Sequence, residues 1–312
     1  NGTMTKRLEA VNVKSTPENR LSFREILFSS HGMKDYIGGV ILYDETINQI
    51  SSTGKSIPNL ISSSGAVPGI KVDTGAKDLA NSPKEKVTEG LDGLRDRLKK
   101  YYDLGARFTK WRGVYSIGEN YPSKLAISSN AHALARYSAL VQENGMVPIV
   151  EPEVLMDGNH SAEVCFNKTS EVIKKCFEEL ILHKVDLSGI ILKPNMILSG
   201  NLSENKISSE EVSIKTLECL KNCVPNEVPG IAFLSGGQSE IEATENLNLI
   251  NKNNNTNFIM TYSYGRALQQ SALKVWSNDI KNVEAAQTTF NHRAKMCTLA
   301  AQGKWSSELE NK

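Results

Sequence analysis

Apolar and polar positions alternate between two rhythms along almost the whole chain. Short, nearly continuous apolar runs rich in β-branched residues lie at 37–43, 67–73, 107–112, 146–154, 189–195, 230–234 and 258–263. Between them, apolar residues recur at helical spacing over 17–28, 84–103, 123–143, 162–183, 209–223, 239–250, 266–276 and 283–302. The first kind of run predicts strands buried on both faces, and the second predicts helices with one apolar stripe. Several helix starts carry their own signal: Pro17 after Thr16, Ser123 after Pro122, and Ser208-Ser209-Glu210, because a hydroxyl cap and a proline in the first turn both suit amides that have no helical partner. Polar, Ser- and Asn-rich stretches at 48–56, 196–207 and 251–257 read as surface connectors.

Strict alternation of strand and helix implies an α/β fold with a parallel sheet covered on both faces. A closed (β/α)8 TIM barrel needs eight of each element. The pattern supplies seven strands and eight helices, and the first helix, at 17–28, has no strand before it. The first strand is therefore expected upstream of residue 1. A doubly wound open sheet would alternate as well, but its phosphate-binding glycines should follow an early strand. Here the glycine turn Ser235-Gly236-Gly237 follows a late one, which favours the barrel. The 312 residues fit a single TIM-barrel domain over 1–312.

Charge narrows the function classes. Lys and Arg total 36 against 35 Asp and Glu, a net charge of +1, so no nucleic-acid partner is expected and any important cations must be concentrated in a site. No apolar run reaches bilayer-spanning length, so no membrane insertion is expected. The cysteines Cys165, Cys176, Cys219, Cys223 and Cys297 are odd in number and scattered, which suits a reduced, cytoplasmic protein. Cys219 and Cys223 could share a helix face, but no further soft ligand is near them in sequence. His31, His132, His160, His183 and His292 show no ligand spacing and read as surface residues. No metal and no cofactor are expected.

The chemistry lies at the strand ends, where a barrel converges its side chains. Lys71 and Asp73 are in phase in Gly69-Ile70-Lys71-Val72-Asp73; Lys110 and Arg112 share a face from which Trp111 points away. Glu151 and Glu153 are in phase in Val150-Glu151-Pro152-Glu153, as are Lys193 and Asn195 in Ile191-Leu192-Lys193-Pro194-Asn195. So many interior charges are costly unless paired. A satisfied ion-pair plug is the structural reading of the set. A reaction centre is the functional one, and four consecutive strands carrying such charges favour it. A desolvated lysine among other cations becomes a nucleophilic amine that can attack a ketone, and a nearby glutamate can handle the protons of carbinolamine dehydration. Two glycine turns, Ser235-Gly236-Gly237 and Ser263-Tyr264-Gly265-Arg266, each open a helix after a late strand and suit phosphate.

These motifs, together with Lys110-Trp111-Arg112, Val147-Pro148-Ile149-Val150-Glu151-Pro152-Glu153, Leu192-Lys193-Pro194-Asn195-Met196 and the stretch 233–240, resemble the class I, Schiff-base fructose-1,6-bisphosphate aldolases. The resemblance implies a carbon–carbon lyase of glycolysis and gluconeogenesis. It would cleave fructose 1,6-bisphosphate reversibly to dihydroxyacetone phosphate and glyceraldehyde 3-phosphate. Lys193 would form the Schiff base, Glu151 would serve acid–base steps with Glu153 beside it, and Lys110 would position substrate oxygens. Lys71 and Arg112 would face the 6-phosphate. Ser235, Gly236, Gly237, Ser263, Gly265 and Arg266 would hold the 1-phosphate. Asn1-Gly2-Thr3-Met4-Thr5-Lys6-Arg7-Leu8 resembles the family's loop after strand one, where Thr3 and Arg7 would touch phosphate. The family's Ala-Asp-Glu-Ser run on strand one and its C-terminal Tyr tail are expected to lie outside the sequence. The resemblance also implies a homotetramer in the cytoplasm. An alternative is a protein-binding scaffold that docks actin or adhesin tails in the same basic cleft. Another Schiff-base enzyme, such as a transaldolase, fits less well, because two phosphate-facing sets imply a bisphosphate.

Overall fold

The computed structural model describes residues 2–311, so Asn1 and Lys312 lie outside the described residues. Helices α1 (Gly2–Glu9), α2 (Pro17–Phe28) and α3 (Met33–Tyr36) precede strand β1 (Gly39–Leu42), and α4 (Asp44–Ile47) and α5 (Ile57–Ser63) lead to β2 (Val67–Lys71). A hairpin of β3 (Gly75–Asp78) and β4 (Lys86–Glu89) is followed by α6 (Leu94–Asp103), β5 (Phe108–Tyr115), α7 (Lys124–Glu143) and β6 (Val147–Val154). Then come α8 (Ala162–Leu182), β7 (Ile191–Leu192), α9 (Ser209–Cys223), β8 (Gly230–Phe233) and α10 (Glu240–Asn253). Strand β9 (Ile259–Tyr262), α11 (Arg266–Asn278) and α12 (Val283–Ala301) complete the order, with short 3-10 turns at Leu187–Gly189 and Ser307–Asn311.

All seven strands read from the apolar pattern form one parallel sheet in the order β1-β2-β5-β6-β7-β8-β9. The sheet curls, because residues from every one of its strands line a single cavity of about 980 Å³. Parallel strands linked by helices must be covered outside, and they are. Trp111 on β5 is fully buried, its ring 5.5 Å from that of Tyr137 on α7. Strands β1 and β9 are the two edges and do not pair with each other. At that seam the Tyr262 hydroxyl donates to the Tyr36 carbonyl at 2.6 Å, tying β9 to the helix before β1.

The expected caps form. Thr16, Ser123 and Ser208 each accept a first-turn amide through the side chain, and Ser208 with Glu211 makes a reciprocal capping box. Four local expectations need correction. The helix predicted over 84–103 is only α6; its first half is the β4 arm of a hairpin. Lys84, Gly90 and Gly93 all have positive φ, a backbone state no right-handed helix can pass through. The loop expected over the first eight residues is helix α1, anchored by buried Met4 and Leu8. The connector at 196–207 is not wholly at the surface, since Met196, Ile197, Leu198 and Ser199 are buried. Strand β7 pairs over two residues only, because Pro194 has no amide to donate, although Lys193 N–H still reaches the Val150 carbonyl at 2.8 Å.

A buried amide helps fasten the hairpin to the barrel, beside the Thr88 hydroxyl that donates to the Arg112 carbonyl at 2.7 Å. Asn130 on α7 accepts from Thr88 N–H at 3.0 Å and donates to the carbonyls of Lys86 at 2.8 Å and Ala126 at 3.0 Å. Replacing it by Leu strands two hairpin backbone groups away from water. Asn130→Leu is expected to lower the free energy of unfolding by about 2–4 kcal/mol, measured by urea titration; a loss under ~0.5 kcal/mol would show that the hairpin is not held this way.

Candidate active site

Parallel register sets the constellation. Lys71 on β2 aligns with Lys110 on β5, and Arg112 aligns with Glu151 on β6. Val150 aligns with Leu192, so Glu151 and Lys193 both fall one step beyond that pair, with side chains on the inner face. The outcome is a carboxylate held between two ammonium groups. Lys110 Nζ lies 2.7 Å from Glu151 Oε2 and Lys193 Nζ 3.2 Å from Oε1. Lys193 Nζ also donates to the Ser263 carbonyl at 2.8 Å. All three side chains are at least 89% buried, with exposures of 11% for Lys110, 5% for Glu151 and 9% for Lys193.

Electrostatics follows from that burial. Desolvation alone would raise the Glu151 pKa, but Lys110 and Lys193 outweigh it and hold the carboxyl at about 2. Burial pushes the Lys193 ammonium down; Glu151 opposes this and Lys110 adds to it, leaving Lys193 below the ordinary lysine range. A buried amine so placed becomes nucleophilic at lower pH than a surface lysine. Its neighbour Glu151 rests as a carboxylate, so in the first step it can only accept a proton.

The other strand-end charges are neutralised locally. Lys71 Nζ lies 2.5 Å from Asp73 Oδ1, and Arg112 Nε 2.5 Å from Glu153 Oε2. Asp73 also accepts the backbone amides of Gly75 and Arg112. Lys71, Lys110, Lys193 and Thr3 all line the cavity.

Across the opening lies a second basic cluster. Arg7 on α1 packs so closely on Gly265 that a Cβ there would sit 2.8 Å from its Nη2. Burial and then the charge of Arg266 hold the Arg7 guanidinium below the ordinary arginine range. Arg266 Nη2 donates to the Gly236 carbonyl at 3.0 Å, joining the two glycine turns, and Gly236 has φ +55°, a conformation suited to glycine. The two turns differ in one respect from expectation. Helix α11 begins at Gly265 with no side-chain cap, so its first amides are available to an anion. Helix α10 is closed by its own Ser239–Glu242 capping box, and the Gly237 amide faces Met156 Sδ at 2.9 Å. Ser235 is buried, and Ser263 and Gly265 line the cavity.

One cavity residue escaped the sequence reading. Arg24 on α2 lines the same space, and burial, aided by the charges of Arg20 and Arg7 against that of Glu45, pushes it down to about 10. Its only sequence signal was a position within an amphipathic helix, where a charge ordinarily faces solvent.

The sequence matches the family described as fructose-bisphosphate aldolase class-I over residues 1–312. The chain belongs to the class I fructose-bisphosphate aldolase family. It is 50% identical over 304 residues to a probable class 1 fructose-bisphosphate aldolase of Xanthomonas campestris pv. campestris, covering 97% of this chain and 91% of that one. It is 47% identical to fructose-bisphosphate aldolase 4, cytosolic, of Arabidopsis thaliana, covering 99% and 79%. A solved Plasmodium falciparum fructose-bisphosphate aldolase, in complex with TRAP and a small-molecule inhibitor, superposes with a TM-score of 0.96 at 42% identity, covering 98% of this chain and 89% of that one. Its fold is the TIM barrel that the curled sheet already indicates.

The aldolase carboxylate at the centre has a pH signature. Glu151 ionises near 2 when folded against 4.5 when free, so its ion pairs stabilise the fold above pH ~4.5 and are lost as pH falls towards the folded value. Between those limits the unfolding free energy of Glu151→Gln should fall less steeply than wild type, by up to about 1.4 kcal/mol per pH unit. Parallel curves from urea titrations at a series of pH values would contradict the assignment.

Proposed function

We propose that Lys193 is the Schiff-base nucleophile of a fructose 1,6-bisphosphate aldolase and that Glu151 moves its protons. The single observation that supports this most is the Lys110–Glu151–Lys193 bridge, with Glu151 at 2.7 Å and 3.2 Å from the two ammonium nitrogens. Lys193 enters as an ammonium and first gives a proton to the Glu151 carboxylate. As Nζ forms the new C–N bond, the carbonyl π electrons pass to the C2 oxygen, which takes that proton from Glu151 and becomes a hydroxyl. Nitrogen then sheds a second proton to Glu151, which returns it to the C2 hydroxyl; this leaves as water, and the third proton stays on the iminium nitrogen. The C3–C4 bond breaks with its electrons flowing into the iminium as the C4 hydroxyl passes its proton to the Glu151 carboxylate. That leaves an enamine of dihydroxyacetone phosphate on Lys193 and releases glyceraldehyde 3-phosphate. Protonation and hydrolysis of the adduct regenerate the lysine. Each step runs backwards in the condensation direction.

In this reading Lys110 keeps Glu151 ionised and polarises substrate oxygens. Thr3, Arg7, Ser235, Gly236, Gly237, Ser263, Gly265 and Arg266 form the 1-phosphate end, where Arg7 and Arg266 repel each other until an anion lies between them. Lys71 and Arg112 serve the 6-phosphate end, exchanging part of their contact with Asp73 and Glu153 for substrate, and Glu153 supports Glu151 electrostatically through Arg112. Residues 1–312 act as one domain. A cytoplasmic location completes the reading, supported by the cytosolic and cytoplasmic relatives of Arabidopsis thaliana and Spinacia oleracea; a homotetrameric assembly rests on the family resemblance alone. No helix among the described residues is long and apolar enough to cross a membrane. The Plasmodium structure with TRAP favours one secondary reading, a protein segment docking on this fold.

Trapping tests the nucleophile. Borohydride with dihydroxyacetone phosphate should leave a stable adduct on Lys193, located by peptide mass spectrometry. Lys193→Ala should give neither adduct nor cleavage, and Glu151→Gln should cut the rate by about 10²–10⁴. An adduct on Lys71 or Lys110 would overturn the assignment.

A further inference from the structure

Away from the cavity, on the outer helix layer, three side chains with metal-binding chemistry converge. His132 on α7 and Glu179 and His183 around the end of α8 each present a ligand atom, all within 4.8 Å of one another. Glu179 and His183 are four residues apart, so the helix puts them on one face. Packing of α7 against α8 brings His132 to them, its Nδ1 3.3 Å from Glu179 Oε2. The two imidazoles meet edge to face with centroids 4.9 Å apart. Sequence spacing could not reveal the set, because its third member comes from another helix.

Two imidazoles and a carboxylate are the donor set zinc prefers. Ligand atoms at about 2.0–2.2 Å in a tetrahedron lie roughly 3.3 Å apart. The His132–Glu179 pair already has that separation, and ring rotation at half-exposed His132 can close the rest. The supporting contacts are those a metal site uses. Lys175 Nζ holds the other Glu179 oxygen, Oε1, at 3.1 Å and leaves Oε2 facing the rings. His183 Nδ1 lies 2.8 Å from the Glu179 backbone carbonyl. The same nitrogen lies 3.8 Å from Glu179 Oε2, so it already faces the carboxylate and can exchange the carbonyl for a cation seated there. Glu179 is only 12% exposed while His132 is 50% exposed, so a bound ion would be seated on the carboxylate and open to water on the His132 side.

We propose that His132, Glu179 and His183 form a binding site for a borderline-soft divalent cation, Zn²⁺ foremost, that clamps α7 to α8. The clamp lies on helices that follow β5 and β6, the strands carrying Lys110 and Glu151. Its residues sit on the outer layer, remote from the strand ends where the lysines converge, so the ion's role is to fasten the scaffold and not to act in the reaction.

Titration of Zn²⁺ into chelator-stripped, phosphine-reduced full-length chain should show one saturable equivalent and a higher Tm. Co²⁺ in its place should give visible bands of a nitrogen and oxygen ligand field with no thiolate charge-transfer band. His132→Ala and, separately, His183→Ala should each weaken Zn²⁺ roughly tenfold or more and remove the Tm shift, while His31→Ala leaves both intact. Far-UV circular dichroism checks that the variants are folded, and His132→Gln is the milder replacement if His132→Ala is not. The proposal is overturned if Zn²⁺ shows no saturable binding, if both variants bind as wild type does, or if Co²⁺ reports thiolate ligation at the cysteines.

Discussion

A carboxylate buried between two ammonium groups sets the terms for the rest of this structure. Taking Glu151 out of water costs several kcal/mol unless close opposite charges and hydrogen bonds replace the solvent. Lys110 at 2.7 Å and Lys193 at 3.2 Å do so. The cluster keeps a net positive charge, since two cations share one anion. Burial weakens the hold of Lys193 on its proton, with Glu151 opposing the effect and Lys110 adding to it, while the net positive charge suits a cavity meant for a phosphorylated, negatively charged molecule. Removing Glu151 would leave two buried cations with no anion between them, whereas removing either lysine would leave a single ion pair, so the carboxylate couples the stability of the barrel mouth to its chemistry.

The barrel delivers this arrangement through register. Three neighbouring parallel strands bring Lys110, Glu151 and Lys193 to adjacent positions on the inner face, while Trp111, Val150 and Leu192 on the alternate positions are buried towards the helices. A slip of one residue in any strand would exchange the two sets. Farther round the barrel, the Ser263 carbonyl just past β9 receives Lys193, and Arg266 reaches back to Gly236 past β8. The amine and the basic cluster facing it are thus tied to the backbone of neighbouring strand ends by side-chain hydrogen bonds to carbonyls.

Much of this was legible in the sequence because it depends on short periods. Apolar runs located all seven parallel strands, and a period of two placed Lys110 with Arg112 and Glu151 with Glu153 on common faces. The pairings between strands were not legible: nothing local says that Arg112 is matched to Glu153 or that Glu151 rests ionised. The hairpin at 75–89 was hidden because 86–89 and 94–103 together mimic helical spacing, and only the positive-φ residues Lys84, Gly90 and Gly93 forbid one helix. Arg24 and the His132–Glu179–His183 cluster were hidden for another reason, since each depends on how separate helices pack. Short helices such as α3 and α4 fall below the length at which periodicity can be read.

At the centre of this account Lys193 is a low-pKa amine, brought down by burial and tuned by Glu151 and Lys110 in opposite directions. The most direct measurement is the pH dependence of its acylation by a trace reagent, followed peptide by peptide against exposed lysines of the same chain. Lys193 should reach half-maximal reactivity below the 10.5 of an ordinary lysine. The midpoint should fall further in Glu151→Gln, where the stabilising anion is gone, and rise in Lys110→Met, where the repelling cation is gone. A Lys193 that titrates with the surface lysines, and whose midpoint is unmoved by either substitution, would contradict the account.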